Sequence, residues 1–271
     1  MYAFEFERPT TLRQAVSLLA KADEGKLLAG GHSLIPVMKL RLASPTKLID
    51  LSQVKELQGV ELKGRALVIG AMTRHRDVAN SPIAVEAMPG LAAVPGSIGD
   101  PHVRNRGTIG GSIANNDPNA DYPAACMGLG ATIVTNKRKI VADEFFVGLF
   151  ETALEPDEII TKVSFPVTKK CGYEKFKHPA SGFALTGVFV SKRGSEVRVA
   201  VTGAGANGVF RVPEFEEALS RRFSPKSLEG IAVSPDGMSS DIHASAEYRA
   251  HLVNVIARRA TAKAVANGQD D

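Results

Sequence analysis

The chain has 271 residues, 44% hydrophobic and 23% charged, with a net charge of +4 from 33 basic and 29 acidic side chains. This length buries a sizeable core, removing roughly 75% of the unfolded surface from water, and the mild basic excess contains no Lys/Arg run of the kind that marks a nucleic-acid binder. No apolar stretch approaches the roughly 18 residues that span a bilayer, and Met1 to Pro9 carries Glu and Arg where a signal peptide has an apolar core.

Along the chain, Thr10 or Thr11 caps a helix running through Ala22, with Leu12, Ala15, Leu18 and Leu19 at helical spacing. A short strand, Lys26 to Ala29, runs into the loop Gly30-Gly31-His32-Ser33, then a helix from Leu34 to Leu42 and a strand from Lys47 to Leu51. From about Val60 the pattern changes to a hairpin around Leu62 to Ala66, helices at Arg74 to Asn80 and Ala84 to Ala93, and a Gly-rich stretch at Gly107 to Ser112. Asn136-Lys137 turns a second hairpin, and Glu158 to Phe165 reads as a strand closed by Pro166. The last third carries alternating strands at Phe183 to Lys192 and Glu196 to Thr202, helices at Pro213 to Arg222 and Ala244 to Ala266, and a polar tail, Asn267 to Asp271, expected to be disordered.

Two segments carry the candidate chemistry. In Leu27-Leu28-Ala29-Gly30-Gly31-His32-Ser33-Leu34, paired glycines after a strand let the backbone turn sharply with no Cβ in the way of a ligand. Successive N–H groups there can converge on a phosphate. Arg106 to Asn116, with Thr108, Ile109, Gly110, Gly111 and Ser112, reads as a second nest of the same kind, followed by carboxamides and by Asp117 and Asp121 as acceptors for sugar or ribityl hydroxyls. Gly203 to Gly208 matches G-x-G-x-x-G, but Val209 to Val212 is β-like and Pro213 interrupts any helix, so no second dinucleotide site is expected there. The histidines form no metal cluster: His243 and His251 are eight apart, where ligands on adjacent helical turns need three or four. Cys126 and Cys171 are too few for the four ligands of a [2Fe–2S] cluster. No catalytic constellation is evident.

The segments A-G-G-H-S-L followed by I-P-V-M-K-L-R-L-A-S-P, and V-R-N-R-G-T-I-G-G-S-I-A-N-N-D-P-N-A-D-Y-P, resemble the FAD-binding medium subunits of aerobic carbon monoxide dehydrogenase and the wider xanthine dehydrogenase family. The resemblance covers essentially the whole chain. It implies an α+β fold in which two FAD-binding subdomains of the PCMH type, residues 1–57 and 58–175, precede a C-terminal domain of antiparallel sheet plus helices, residues 176–271. It also implies that Leu27 to Leu34 wraps the FAD pyrophosphate and that Thr108 to Ser112 takes its other side. Asp121, thirteen residues after Thr108, would bind a cofactor hydroxyl. Ile98 and Ile160 would lie against the two sides of the flavin ring, with Lys177 near it. At Ile98 the family often has an aromatic residue, and His178 to Gly182 departs from the more polar xanthine branch. The implied partners are a small subunit with two [2Fe–2S] clusters and a large subunit with the molybdenum cofactor, usually in a dimer of heterotrimers in the cytoplasm. The chain itself would be an oxidoreductase subunit that passes electrons from the clusters to FAD and on to an external acceptor. Two other readings compete: a self-contained flavin oxidase or reductase, for which the last third lacks acid/base residues, and a docking subunit without flavin, which would not need Gly30, Gly31, Gly110 and Gly111.

Overall fold

The computed structural model describes residues 1–268, which form three larger sheets in chain order and a two-stranded ribbon of Phe146–Gly148 and Glu151–Thr152. The first is parallel and three-stranded, with Lys47–Asp50 between Glu5–Glu7 and Gly25–Leu28. The helix Leu12–Ala20 packs on it, its N-terminus capped by the Thr11 side chain, which accepts from the Gln14 N–H. The second sheet is antiparallel and five-stranded, in the order Val60–Lys63, Ala66–Gly70, Ile160–Pro166, Thr132–Thr135, Lys139–Val141. The third is an antiparallel meander of Cys171–Lys177, Ala184–Arg193, Glu196–Thr202 and Phe210–Arg211. One face of the meander is covered by the helices Pro213–Arg221 and Ala246–Asn267 through Val188, Val190, Val199, Phe215 and Ile256. The architecture is the expected α+β class.

Several elements differ from the sequence reading, each for a physical reason. The single helix expected over Ala84 to Ala93 is two, Pro82–Ala87 and Pro89–Gly96, because Met88 leaves helical geometry ahead of Pro89. The Gly-rich stretch is the start of a helix, Ile109–Asn115. Two helices, Pro101–Arg106 and Asp121–Leu129, and the strand Cys171–Lys177 were not read from the sequence. That strand pairs along its length with Ala184–Arg193, so by sheet membership the third sheet begins at Cys171, and the division expected at 175/176 falls inside the strand. In Gly203 to Gly208 the Gly203 N–H donates to the Pro118 carbonyl and a short strand follows, with no helix opening in the motif. The final helix closes at Asn267; the rest of the tail expected to be disordered, 269–271, lies outside the described residues.

The second and third units share one core, in which Tyr122, Phe145, Phe165 and Phe189 are fully buried. Asp121 fastens them: its carboxylate accepts a short hydrogen bond from the Tyr173 hydroxyl and pairs with the Lys175 ammonium at 2.9 Å. All three side chains are buried, and burial lifts the Asp121 carboxyl above the usual carboxylate range against the pull of Lys175 and Tyr173. Removing one partner of such a pair strands a buried charge. We therefore expect Lys175→Met to destabilise the chain by about 3–5 kcal/mol in urea unfolding, and Asp121→Asn combined with Lys175→Met to recover most of that loss.

Candidate functional site

The first loop leaves the C-terminal end of Gly25–Leu28 and enters the helix Leu34–Lys39. Gly31 takes φ +77°, a conformation strained for any residue with a Cβ, and the turn is closed by the Ile35 N–H donating to the Gly31 carbonyl at 3.1 Å. Leu27 and Ala29 pack on the first unit's core, which holds the root of the loop in place. The tip is different: among the described residues nothing accepts from the N–H groups of Gly30, Gly31, His32 and Ser33. Four consecutive amides without a protein partner are what a multi-oxygen anion requires.

The second segment does not form a second open nest. Thr108 is a helix N-cap, its hydroxyl oxygen accepting from the Gly111 N–H at 3.1 Å. The Ile109 N–H donates to the Thr73 carbonyl, the Gly110 N–H to the Ala71 carbonyl at 2.8 Å and the Ser112 N–H to the Thr108 carbonyl. The Ile109, Gly110, Gly111 and Ser112 amides therefore already have acceptors within the chain and are not the open donors expected of a second nest. Their glycines serve close packing instead: a Cβ on Gly110 would lie 2.7 Å from the Ala71 carbonyl oxygen, and one on Gly111 would meet the Ala29 side chain at 3.4 Å. Across the gap, a Cβ on Gly30 would lie 2.5 Å from the Arg106 carbonyl oxygen and 2.6 Å from the Gly107 Cα. The two segments are thus in contact: a loop with free donors sits on a rigid helix start.

His75 completes this contact, and the sequence reading missed it. Its N–H donates to the Gly107 carbonyl at 2.9 Å, and its imidazole Nε2 stands 2.6 Å from where a Gly107 Cβ would be. Its ring lies 5.4 Å from that of Tyr122. Only five buried side-chain polar atoms lack a hydrogen-bond partner among the described residues, and three of them, His75 Nδ1, Tyr122 Oη and Asn116 Oδ1, surround this one segment. Burial pushes the His75 imidazole down to about 4, with the nearby His32 adding to the effect. Nothing local in the sequence marks His75; its role exists only through the tertiary contact with Gly107.

Ala71 donates its N–H to the Thr161 carbonyl while accepting from Gly110, which sets the strand carrying Ile160 beside the second segment. Ile98 and Ile160 are both buried in the shared core. The Arg104 guanidinium donates to the Ile98 and Gly99 carbonyls and fixes the turn between Ile98 and the Pro101–Arg106 helix. Gly182 (φ +71°) packs on Gly99, bringing the half-exposed Phe183, another residue not singled out from the sequence, to this turn. Lys177 is exposed and acts on Asp121 through space. Asp121 offers only 3% of its surface and is already bound to Tyr173 and Lys175, so the hydroxyl contact expected for it is not displayed.

Residues 2–168 match the sequence pattern of the family described as FAD binding domain in molybdopterin dehydrogenase. The chain belongs to this family. It is 35% identical to the carbon monoxide dehydrogenase medium chain of Hydrogenophaga pseudoflava, over 95% of each chain, and 38% identical to the nicotine 6-hydroxylase medium subunit of Paenarthrobacter nicotinovorans, over 97% of each. Among solved structures, reconstituted carbon monoxide dehydrogenase from Oligotropha carboxidovorans superposes with a TM-score of 0.89 at 33% identity, covering 98% of this chain and 99% of that one. Membership in the family and an oxidoreductase role, read above from the paired glycine segments, are both supported by these relatives.

Two outcomes follow from the geometry. Gly30→Ala must lift the loop off Arg106 and Gly107; we expect bound flavin to be lost with secondary structure retained, at a cost of about 1–3 kcal/mol. Gly110→Val, by contrast, drives a branched side chain into the Ala71 backbone and lowers the unfolding midpoint even without cofactor. The depressed His75 predicts a pH dependence. The unfolded imidazole protonates near its ordinary 6.5 and the folded one only near 4, so the cofactor-free chain holds its full stability above about pH 6.5. It loses up to about 3 kcal/mol as pH falls toward 4. Denaturation at a series of pH values on wild type and His75→Phe checks this: the variant's curve is flat in that window apart from other groups.

Proposed function

We propose that the chain binds one FAD non-covalently and is the electron-transfer subunit of a molybdenum hydroxylase resembling carbon monoxide dehydrogenase. The observation that carries this reading is the row of four unaccepted amides, Gly30 to Ser33, held against Gly107. Charge-assisted hydrogen bonds are worth about 1.5–3 kcal/mol each, so four of them grip a diphosphate firmly. Leu27 to Ala29 and Leu34 hold the two ends of the loop. Thr108 to Ser112 supply the surface it rests on, with the Ser112 hydroxyl available as a further donor. Ile98 and Ile160 bound the apolar side, and the exposed Lys177 would bring a cation to it. Asp121 would reach a cofactor hydroxyl only by releasing Tyr173 or Lys175, so its part is to hold the second and third units together.

When bound, FAD would supply the chemistry that collects electrons arriving one at a time from the clusters and passes them on singly or in pairs. The residues of the chain bind it, orient it and exclude water from one side of it. The complete enzyme, in this reading, adds a small subunit with [2Fe–2S] clusters and a large subunit with the molybdenum cofactor, arranged as a dimer of heterotrimers in the cytoplasm. No described helix is long and apolar enough to cross a membrane. Relatives named for carbon monoxide, nicotine, glyceraldehyde and caffeine match this chain over at least 95% of its length. An architecture shared by proteins with such different names fits a subunit that handles electrons and leaves substrate to its partner.

Two measurements test the reading. Acid precipitation of the native protein releases the yellow colour into the supernatant; flavin retained in the pellet would indicate a covalent link, with His32 the first residue to examine. Under anaerobic conditions, substrate bleaches the flavin only in the assembled complex. Bleaching by the chain alone would overturn the electron-transfer role in favour of a self-contained oxidase.

A further inference from the structure

We propose that His75 is a positioning residue whose protonation is coupled to occupation of the phosphate loop, so that the chain takes up one proton as it binds the diphosphate cofactor. This rests on the FAD reading above. The geometry is a relay of close contacts: the Gly30 backbone meets Gly107, and Gly107 in turn meets the His75 imidazole. The imidazole is 4% exposed, and its Nδ1 has no hydrogen-bond partner among the described residues. A neutral ring is the less costly state in such a place, because a buried charge without a counter-charge loses its hydration and gains nothing in return.

The groups around His75 hold it in that state. His32 of the phosphate loop acts on it through space, favouring the neutral form. The Pro101–Arg106 helix brings His102, Arg104 and Arg106, of which Arg104 is committed to the Ile98 and Gly99 carbonyls. The Pro89–Gly96 helix has no ionisable side chain, and Glu86 on Pro82–Ala87 is exposed. From Asp121–Leu129 come Tyr122, whose hydroxyl is also unpartnered, and Asp121, which is already paired with Lys175. On its own helix Arg76 pairs with Asp77, and Arg74 precedes it. Among the described residues no carboxylate bonds to the ring; Asp100, which caps the Pro101–Arg106 helix, acts on His32 and His102. A diphosphate on the amides of Gly30 to Ser33 sets negative charge against the ring across one backbone layer, where low polarisability strengthens the interaction. One proton then passes from solvent to the imidazole, and no other bond changes.

The test titrates FAD into the full chain, stripped of cofactor, from about pH 5 to about pH 8. Flavin fluorescence gives the Kd, and calorimetry in two buffers of different ionisation enthalpy gives the proton count. The expected result is a Kd that tightens as pH falls, by at most about tenfold per unit for a single linked proton, with calorimetric uptake approaching one proton. His75→Gln abolishes the slope, whatever its absolute Kd; His32→Gln keeps the slope. A slope that survives His75→Gln, or that vanishes in His32→Gln, overturns the proposal. Should His75→Gln fail to fold, calorimetry on wild type and His32→Gln decides: no proton uptake overturns it. Binding that is tight but independent of pH defeats this proposal alone, whereas a folded chain that binds no FAD at any pH defeats the cofactor reading itself.

Discussion

Gly30 meets the Arg106–Gly107 backbone and Gly107 meets the His75 imidazole, each so closely that neither glycine can carry a side chain. This contact joins the loop of the parallel sheet to the helices of the second unit, and it decides where the free amides of Gly30 to Ser33 stand. The strand end that launches the loop, the Gly31 turn and the helix capped by Thr108 can each form separately. Only the Gly30–Gly107 approach turns them into one site.

Binding is therefore divided unequally between the two glycine-rich segments. One keeps its donors free and can spend them on a ligand. The other spends its donors on Ala71, Thr73 and Thr108, which makes it rigid, and uses its glycines to let neighbouring backbone come near. A rigid support under a loop of unsatisfied amides is pre-organised: less ordering is left to be done when an anion arrives. The unpartnered atoms of His75, Tyr122 and Asn116 lie around the rigid segment, so the site concentrates polar groups that the folded chain alone leaves unsatisfied. Behind it, Asp121 ties the third unit to the second through Tyr173 and Lys175.

How much of this was legible depended on whether the signal was local. Thr11 before Leu12, Ala15 and Leu19 announces its helix through cap and spacing, and the structure has that helix and that cap. The loop at Gly30 and Gly31 is likewise a local event, visible as two glycines after an apolar strand. Asp121–Leu129 is buried along its whole length, so it has no polar face and no periodicity to read. Gly110 and Gly111 suggested a loop because glycine is a poor helix former, yet the cap at Thr108 and the pair Ile109 and Ile113 carried the contrary signal. Cys171–Lys177 alternates weakly because both its faces are covered, by Ala246–Asn267 and by the Pro89–Gly96 helix. His75 and the burial of Asp121 are properties of contacts between distant segments, which spacing along one chain does not encode.

The division between a donor loop and a spent support is tested most directly by hydrogen exchange of backbone amides with and without FAD. The account predicts that Ile109, Gly110 and Gly111 are already protected in the cofactor-free chain, while Gly30, Gly31, His32 and Ser33 exchange freely and become protected when FAD binds. Unchanged exchange at Gly30 to Ser33 on saturation with FAD, or protection gained only at Ile109 to Gly111, would contradict it.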